Sequence, residues 1–317
     1  MRIIPPSYEI LTELDNGSMA ARIESCGRIC YKSEGKITEK SAKPFIENIL
    51  KRGHNSVSEM AVLTLQIDYD SKSVAERFFE GIPKYFAIDQ IDKQRLLITG
   101  SVRAFRELYK EHATQKMAKA IAAFLGERYP LFFFDLLPKN GWRPQSGFSI
   151  VKVPLADVDK LSVDLLIKHR YIAVKIITNR AITHEIVRHR PVSYLQESQR
   201  YCRYNQAQFG NEVSFIKPMF YEEGTPEYDL WVRAMEETET IYLKLLENST
   251  AQAARTVLPN SCKTEIIVFA NLIEWLHIFK LRTSPGAEPS MREIMIPLLD
   301  DFKKLFPKIF EGLEVNV

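Results

Sequence analysis

The sequence predicts an α+β fold, helix-rich around a mixed or antiparallel sheet and carrying an enlarged helical insertion. Three observations lead there. Apolar residues recur at helical spacing over much of the chain, few segments read as strands, and the two do not alternate in the βαβ manner of a parallel sheet. From the N-terminus, residues 19–30 and 41–51 read as helices among turn residues. Residues 61–69 read as a strand, since Val62, Thr64, Gln66 and Asp68 alternate with Leu63, Leu65 and Ile67. Residues 101–111 look helical, and 116–126 form an Ala-rich amphipathic helix. Residues 137–149, rich in Pro, Gly and Asn, are the best loop candidate. Residues 171–178 are a strand by their β-branched content. Residues 179–187 follow as a helix, stopped by Pro191, which disfavours helical geometry just before it. Three further helices are expected at 227–248, 262–281 and 291–305.

At 317 residues the chain is long enough to bury a core without staples. It reads as a single domain over 1–317, with the insertion at about 70–165. Composition is that of a soluble globular protein, 45% hydrophobic and 26% charged. A net charge of +3 is too small to imply nucleic acid or membrane as partner, so any cationic site is local. Cys26, Cys30, Cys202 and Cys262 form no CxxC pair and have no His cluster at zinc spacing, so no metal is expected and buried free thiols are. The N-terminus lacks the apolar stretch of a signal peptide, and no run approaches the ~20 residues of a membrane span. A cytoplasmic location is the expectation. There is no repeat of fixed period, no GxGxxG after a strand and no GxxxxGK[ST].

One segment stands apart. Residues 188–204 hold four arginines, a histidine, two serines and three tyrosines, with no lysine. Guanidinium forks match phosphates bidentately, tyrosines offer flat surfaces for ring stacking, and hydroxyls and amides read base edges. A solvated basic face would instead favour Lys and Glu at helical spacing. The composition points to a phosphate or nucleotide site.

Arg188-His189-Arg190, then seven residues and Ser198, then Arg200-Tyr201, resembles the signature of the flavin-dependent thymidylate synthases. Gly53-His54-Asn55-Ser56-Val57-Ser58-Glu59 is similar to that family's GHxSxxEH segment, with Met60 in place of the last His. Ala254-Arg255, Leu258-Pro259, Thr264, Asn271, His277, Leu281-Arg282 and Ala287 resemble its C-terminal half. Gly100-Ser101-Val102-Arg103-Ala104-Phe105-Arg106 is similar to a GNxRAWR-like segment of longer members. Glu185 stands where Gln is frequent, Gln196 where Glu is, and Ile273 where Arg is.

The resemblance implies reductive methylation of dUMP to dTMP, with methylene-tetrahydrofolate as carbon donor and NADPH-reduced FAD as hydride source. It implies that His54, Ser56, Arg188, His189, Arg190, Asn271 and His277 hold FAD. Glu185, Gln196, Ser198, Arg200, Arg255 and Arg282 then contact dUMP. Arg282 is also the expected catalytic group, stabilising negative charge on the pyrimidine. Without the resemblance, Arg282 reads better as a simple cation at a helix C-terminus. Ser198 has no adjacent general base to make it a nucleophile, and Cys202 is a weaker candidate still. The family's homotetramers, with sites between subunits, imply the same assembly here. Rival readings are a non-catalytic nucleotide- or RNA-binding homologue, a member that binds without turnover, and a serine hydrolase on Ser198 and His189. The last lacks a GxSxG elbow.

Overall fold

The computed structural model describes residues 1–70, 78, 85–136 and 145–315. Ten strands and nine longer helices follow one another there as β1 (Arg2–Ile4), β2 (Ser7–Ile10), α1 (Met19–Ile29), α2 (Ala42–Lys51), β3 (Val62–Tyr69), β4 (Phe86–Asp92), β5 (Arg95–Ser101), α3 (Val102–His112), α4 (Lys116–Arg128) and β6 (Phe148–Lys152). Then come α5 (Val163–His169), β7 (Tyr171–Asn179), α6 (Arg180–Ile186), β8 (Ser193–Gln196), β9 (Ser214–Ile216), α7 (Pro226–Asn248), β10 (Lys263–Asn271), α8 (Leu272–Arg282) and α9 (Pro289–Leu305). The α+β expectation holds. No helix among these residues is long and apolar enough to cross a membrane.

Two four-stranded antiparallel sheets form the frame, ordered β2-β7-β10-β8 and β4-β5-β3-β6, and β1 pairs with β9 in a separate parallel ribbon. One hydrophobic core lies between the sheets. Leu63, Leu65 and Ile67 of β3 meet Ala173, Leu195, Ile267 and Phe269 there, roofed by α1 to α4. The opposite face of the β7-β10 sheet, with Ile172, Val174, Ile266 and Val268, packs on α6, α8 and α9. A third cluster holds α7 against residues 202–215.

The expected helix over 262–281 is a correction. Its first half is the central strand β10, and only Leu272–Arg282 is helical. β10 is covered on both faces, so it reads as a continuous apolar run with no alternation to betray it. The 70–165 stretch is also not simply helical. It contributes α3 and α4, near the positions expected, but strands β4, β5 and β6 as well. Most of the loop expected over 137–149 lies outside the described residues, and its last positions open β6.

Candidate active site

Two strand-to-helix turns build the first constellation. α6 leaves β7 at Asn179, whose side chain accepts from Ile182 N at 3.0 Å, and α8 leaves β10 at Asn271, which caps Glu274 N at 3.0 Å. The two helices return along the sheet and their C-terminal ends meet. Arg282 Nη1 donates to Glu185 Oε2 at 2.7 Å, Nη2 to the Glu185 carbonyl at 2.9 Å, and Nε to His189 Nε2 at 2.9 Å. The guanidinium thus occupies the C-terminal end of α6, where the helix dipole favours a cation.

His189 is 5% exposed, and its Nε2 can accept from Arg282 only in the neutral ring. Burial lowers its pKa to about 4, and Arg282 and His277 push the same way. The His277 ring lies edge-on with centroids 5.6 Å apart. Four of the expected residues, Glu185, His189, His277 and Arg282, are therefore together. Arg188 and Arg190 flank the buried histidine as exposed cations, and their guanidinium groups make no hydrogen bond or ion pair among the described residues.

Other expected residues stand apart from this cluster. Asn271 sits at the opposite end of α8 from Arg282, with Oδ1 on Glu274 N and Nδ2 on Lys168 O at 3.2 Å, so its amide is occupied in starting the helix. Gln196 on β8 donates to Thr183 at 2.9 Å and Thr264 at 3.1 Å, which leaves its carbonyl as an acceptor. Ser198 opens a turn whose backbone N–H binds the Cys30 carbonyl at 3.0 Å, and its hydroxyl accepts from Arg200 N at 3.3 Å. No base reaches it. Arg200 Nε donates to Gln252 at 3.3 Å, one turn before Arg255. Burial pushes the thiols of Cys202 and Cys262 up to about 12 and that of Cys30 to about 11, so none supplies a thiolate at neutral pH.

A second constellation is a cleft of about 360 Å³ lined by Cys30, Tyr31, Gly53 to Val57, Arg103 and Leu195. His54 and Ser56 are thus in one wall of this cleft. His54 Nδ1 lies 3.1 Å from the Tyr31 hydroxyl, and the rings of Tyr31 and Tyr201 are tilted with centroids 5.2 Å apart. Arg103 is fixed by Glu59 and Glu107, each at 2.6 Å. Tyr31 and Arg103 were not among the expected site residues. For Arg103 the signal was the RAFR segment, and for Tyr31 there was none. No hydrogen bond, ion pair or ring contact joins this cleft to the Arg282 cluster among the described residues. A buried chain of charge, Tyr204–Glu197–Lys263–Glu265–Lys32, runs beside β10 with contacts of 2.9, 2.9, 2.5 and 2.8 Å.

With this geometry in place, the chain can be set beside known proteins. The model of a family described as thymidylate synthase complementing protein matches residues 14–80 and 162–308. A flavin-dependent thymidylate synthase of Pyrococcus abyssi is 35% identical over 127 residues, 40% of this chain and 51% of the relative. One from Corynebacterium efficiens is 30% identical over 154 residues, 44% of this chain and 59% of the relative. The chain thus spans about half the length of the curated relatives it matches. A solved UMP/dUMP methylase PolB from Streptomyces cacaoi overlaps 49% of this chain and 74% of its own at 20% identity, with a TM-score of 0.40.

Proposed function

The chain belongs to the thymidylate synthase complementing protein family, and from that premise we propose that it converts dUMP to dTMP with FAD, NADPH and methylene-tetrahydrofolate. The observation that carries this reading is the meeting of Arg282 with Glu185 and His189 beside the exposed cations Arg188 and Arg190. The residues present fit a flavin. The cleft falls within the roughly 300–1,000 Å³ of small-molecule sites, its Tyr31 wall offers a face for stacking, and His54, Asn55 and Ser56 supply polar edges. Arg188 and Arg190, exposed and without an ion-pair partner among the described residues, suit the pyrophosphate of such a ligand. FAD, once reduced by NADPH, supplies the hydride.

The chain's own residues position and polarise. Three of the five Arg282 N–H groups are occupied by Glu185 and His189, which fixes the guanidinium plane. Two remain to stabilise charge developing on a pyrimidine, the kind of preorganised donor that contributes most to catalysis. His189 stays neutral and orients Arg282, and His277 packs on it. Gln196 offers its carbonyl to a ring N–H, while Ser198, Arg200 and Arg255 take the remaining dUMP contacts. Asn271 serves the site by starting the helix that carries His277 and Arg282.

Among the described residues no hydrogen bond, ion pair or ring contact joins the cleft to the Arg282 cluster, which supports a pocket completed between chains and hence the homotetramer. The break in the family match between residues 80 and 162 supports reading 1–317 as one domain with an inserted segment. The test is dTMP formation from dUMP, methylene-tetrahydrofolate, NADPH and added FAD, with native protein and Arg282→Ala. The expected result is FAD-dependent turnover that falls on the order of 10²–10³ in the variant. A yellow protein that binds dUMP without product would be a binder that does not turn over, and full activity of the variant would remove Arg282 from its role.

A further inference from the structure

The two sheets obey one register. Laying β3 on β7 so that Val62 falls on Tyr171 brings Ser101 of β5 onto Asn271 of β10, because Val62 pairs with Ser101 and Tyr171 with Asn271. The same overlay, with no slip, puts β6 on β2 (Leu65 with Lys152, Val174 with Ile10) and β4 on β8 (Leu96 with Gln90, Ile266 with Gln196). Over eight residues β3 and β7 bury the same positions, with only the first, fifth and seventh of each strand half-buried.

The likeness continues into the connections. Ser101 caps Ala104 N as Asn271 caps Glu274 N. Val102 N binds Ala61 O and Leu272 N binds Arg170 O; Val153 N binds Thr64 O and Leu11 N binds Ala173 O. Val102, Phe105 and Leu108 are buried on α3 where Leu272, Trp275 and Ile278 are buried on α8. The spacing between counterparts differs from strand to strand, so no fixed period shows in the sequence.

We infer that the chain is two related halves that have exchanged edge strands, and that Arg103 is the ring-reading donor of the ligand cleft formed between them. β2 precedes β3 in the chain but lies in the sheet of β7, while β6 precedes β7 but lies in the sheet of β3. The cleft gathers residues of both halves: 53–57 and Arg103 from the first, Leu195 from the second. At the counterpart place the overlay sets Ile273 for Arg103 and Asp89 for Leu195. There Asp89 bridges β4 to α5 through Lys168 at 2.6 Å and His169 at 3.1 Å, backed by Thr99 on His169 at 2.8 Å. At one of the two equivalent places between the halves lies an open cleft with a guanidinium, and at the other a bridged, part-buried polar cluster.

The surroundings of Arg103 decide what it reads. Glu59 and Glu107 together outweigh its charge, which disfavours a phosphate dianion at this guanidinium. A neutral carbonyl acceptor is not so disfavoured, and Nη2 makes no hydrogen bond among the described residues. With Tyr31 forming the wall, the group of choice is a flat heterocycle bearing carbonyl oxygens, and on the flavin reading above, on which this rests, that is the isoalloxazine ring rather than the pyrophosphate.

The test titrates FAD and riboflavin, which shares the ring and lacks the phosphates, into full-length native protein, Arg103→Met and Arg103→Gln, following flavin fluorescence and the thermal transition of each. The expected result is an Arg103→Met loss of about five- to tenfold, alike for both flavins. Arg103→Gln, which keeps an N–H without charge, should recover part of it at unchanged Tm. A loss confined to FAD would make Arg103 a phosphate group and overturn the assignment, as would equal binding by all three proteins. Native protein that binds neither flavin would end the flavin reading itself, and the assignment with it.

Discussion

At the scale of single residues, His189 shows how position decides chemistry. Its pKa lies near 4, against an ordinary value of about 6.5 in the unfolded chain. As pH falls, the unfolded chain therefore takes up the proton first. The stability contributed by this ring is fully present above about pH 6.5 and is lost as pH drops toward 4. The drop in urea midpoint between pH 7 and pH 5 should be smaller in His189→Gln than in native protein. An equal drop would mean that the ring is not held neutral. The motif made His189 and Arg282 legible in the sequence, but not how Glu185 serves them: expected as a dUMP contact, it anchors Arg282. Tyr31 was illegible for a plain reason. A lone tyrosine after a helix has no spacing to give it away, and only the turn at 53–57 gives it a function.

At the scale of elements, the hardest segment to read was 262–281. Twenty residues pass from β10 to α8 without a Gly or Pro, and the only boundary mark is Asn271. Asn271 followed three residues later by Glu274 is the outline of a capping box, and that signal was there to be used. Ser101 marks the β5-to-α3 boundary in the same way. Asn271→Ala and Ser101→Ala should each lower unfolding free energy by ~1 kcal/mol in chemical denaturation. No loss at either position would show that packing alone sets these helix starts. The β4–β5 hairpin escaped notice because its turn, Lys93-Gln94, has none of the Asn-Gly or Gly residues that announce a two-residue turn. Asp92 closes it instead by accepting from Gln94 N at 2.9 Å.

At the scale of the whole molecule, the sequence conveyed the fold class and the motif-bearing half, while the inserted segment was taken for added helices. Its strands complete a second sheet, and both sheets contribute to one core. Halves so joined should unfold as a unit. Hydrogen exchange in rising denaturant should bring the slowest amides of β3 and β7 to one common opening free energy, and two separate values would mean that the halves open independently. The exchanged strands also bear on the order in which the protein is made. Ile10 leaves the ribosome early, yet its partner Val174 is not synthesised until most of a second sheet has followed. β3 likewise emerges well before β6 covers its edge. A nascent chain of this protein therefore carries unpaired strand edges through much of its translation, a period in which a chaperone, rather than the chain's own later residues, must keep those edges from pairing with a neighbouring chain.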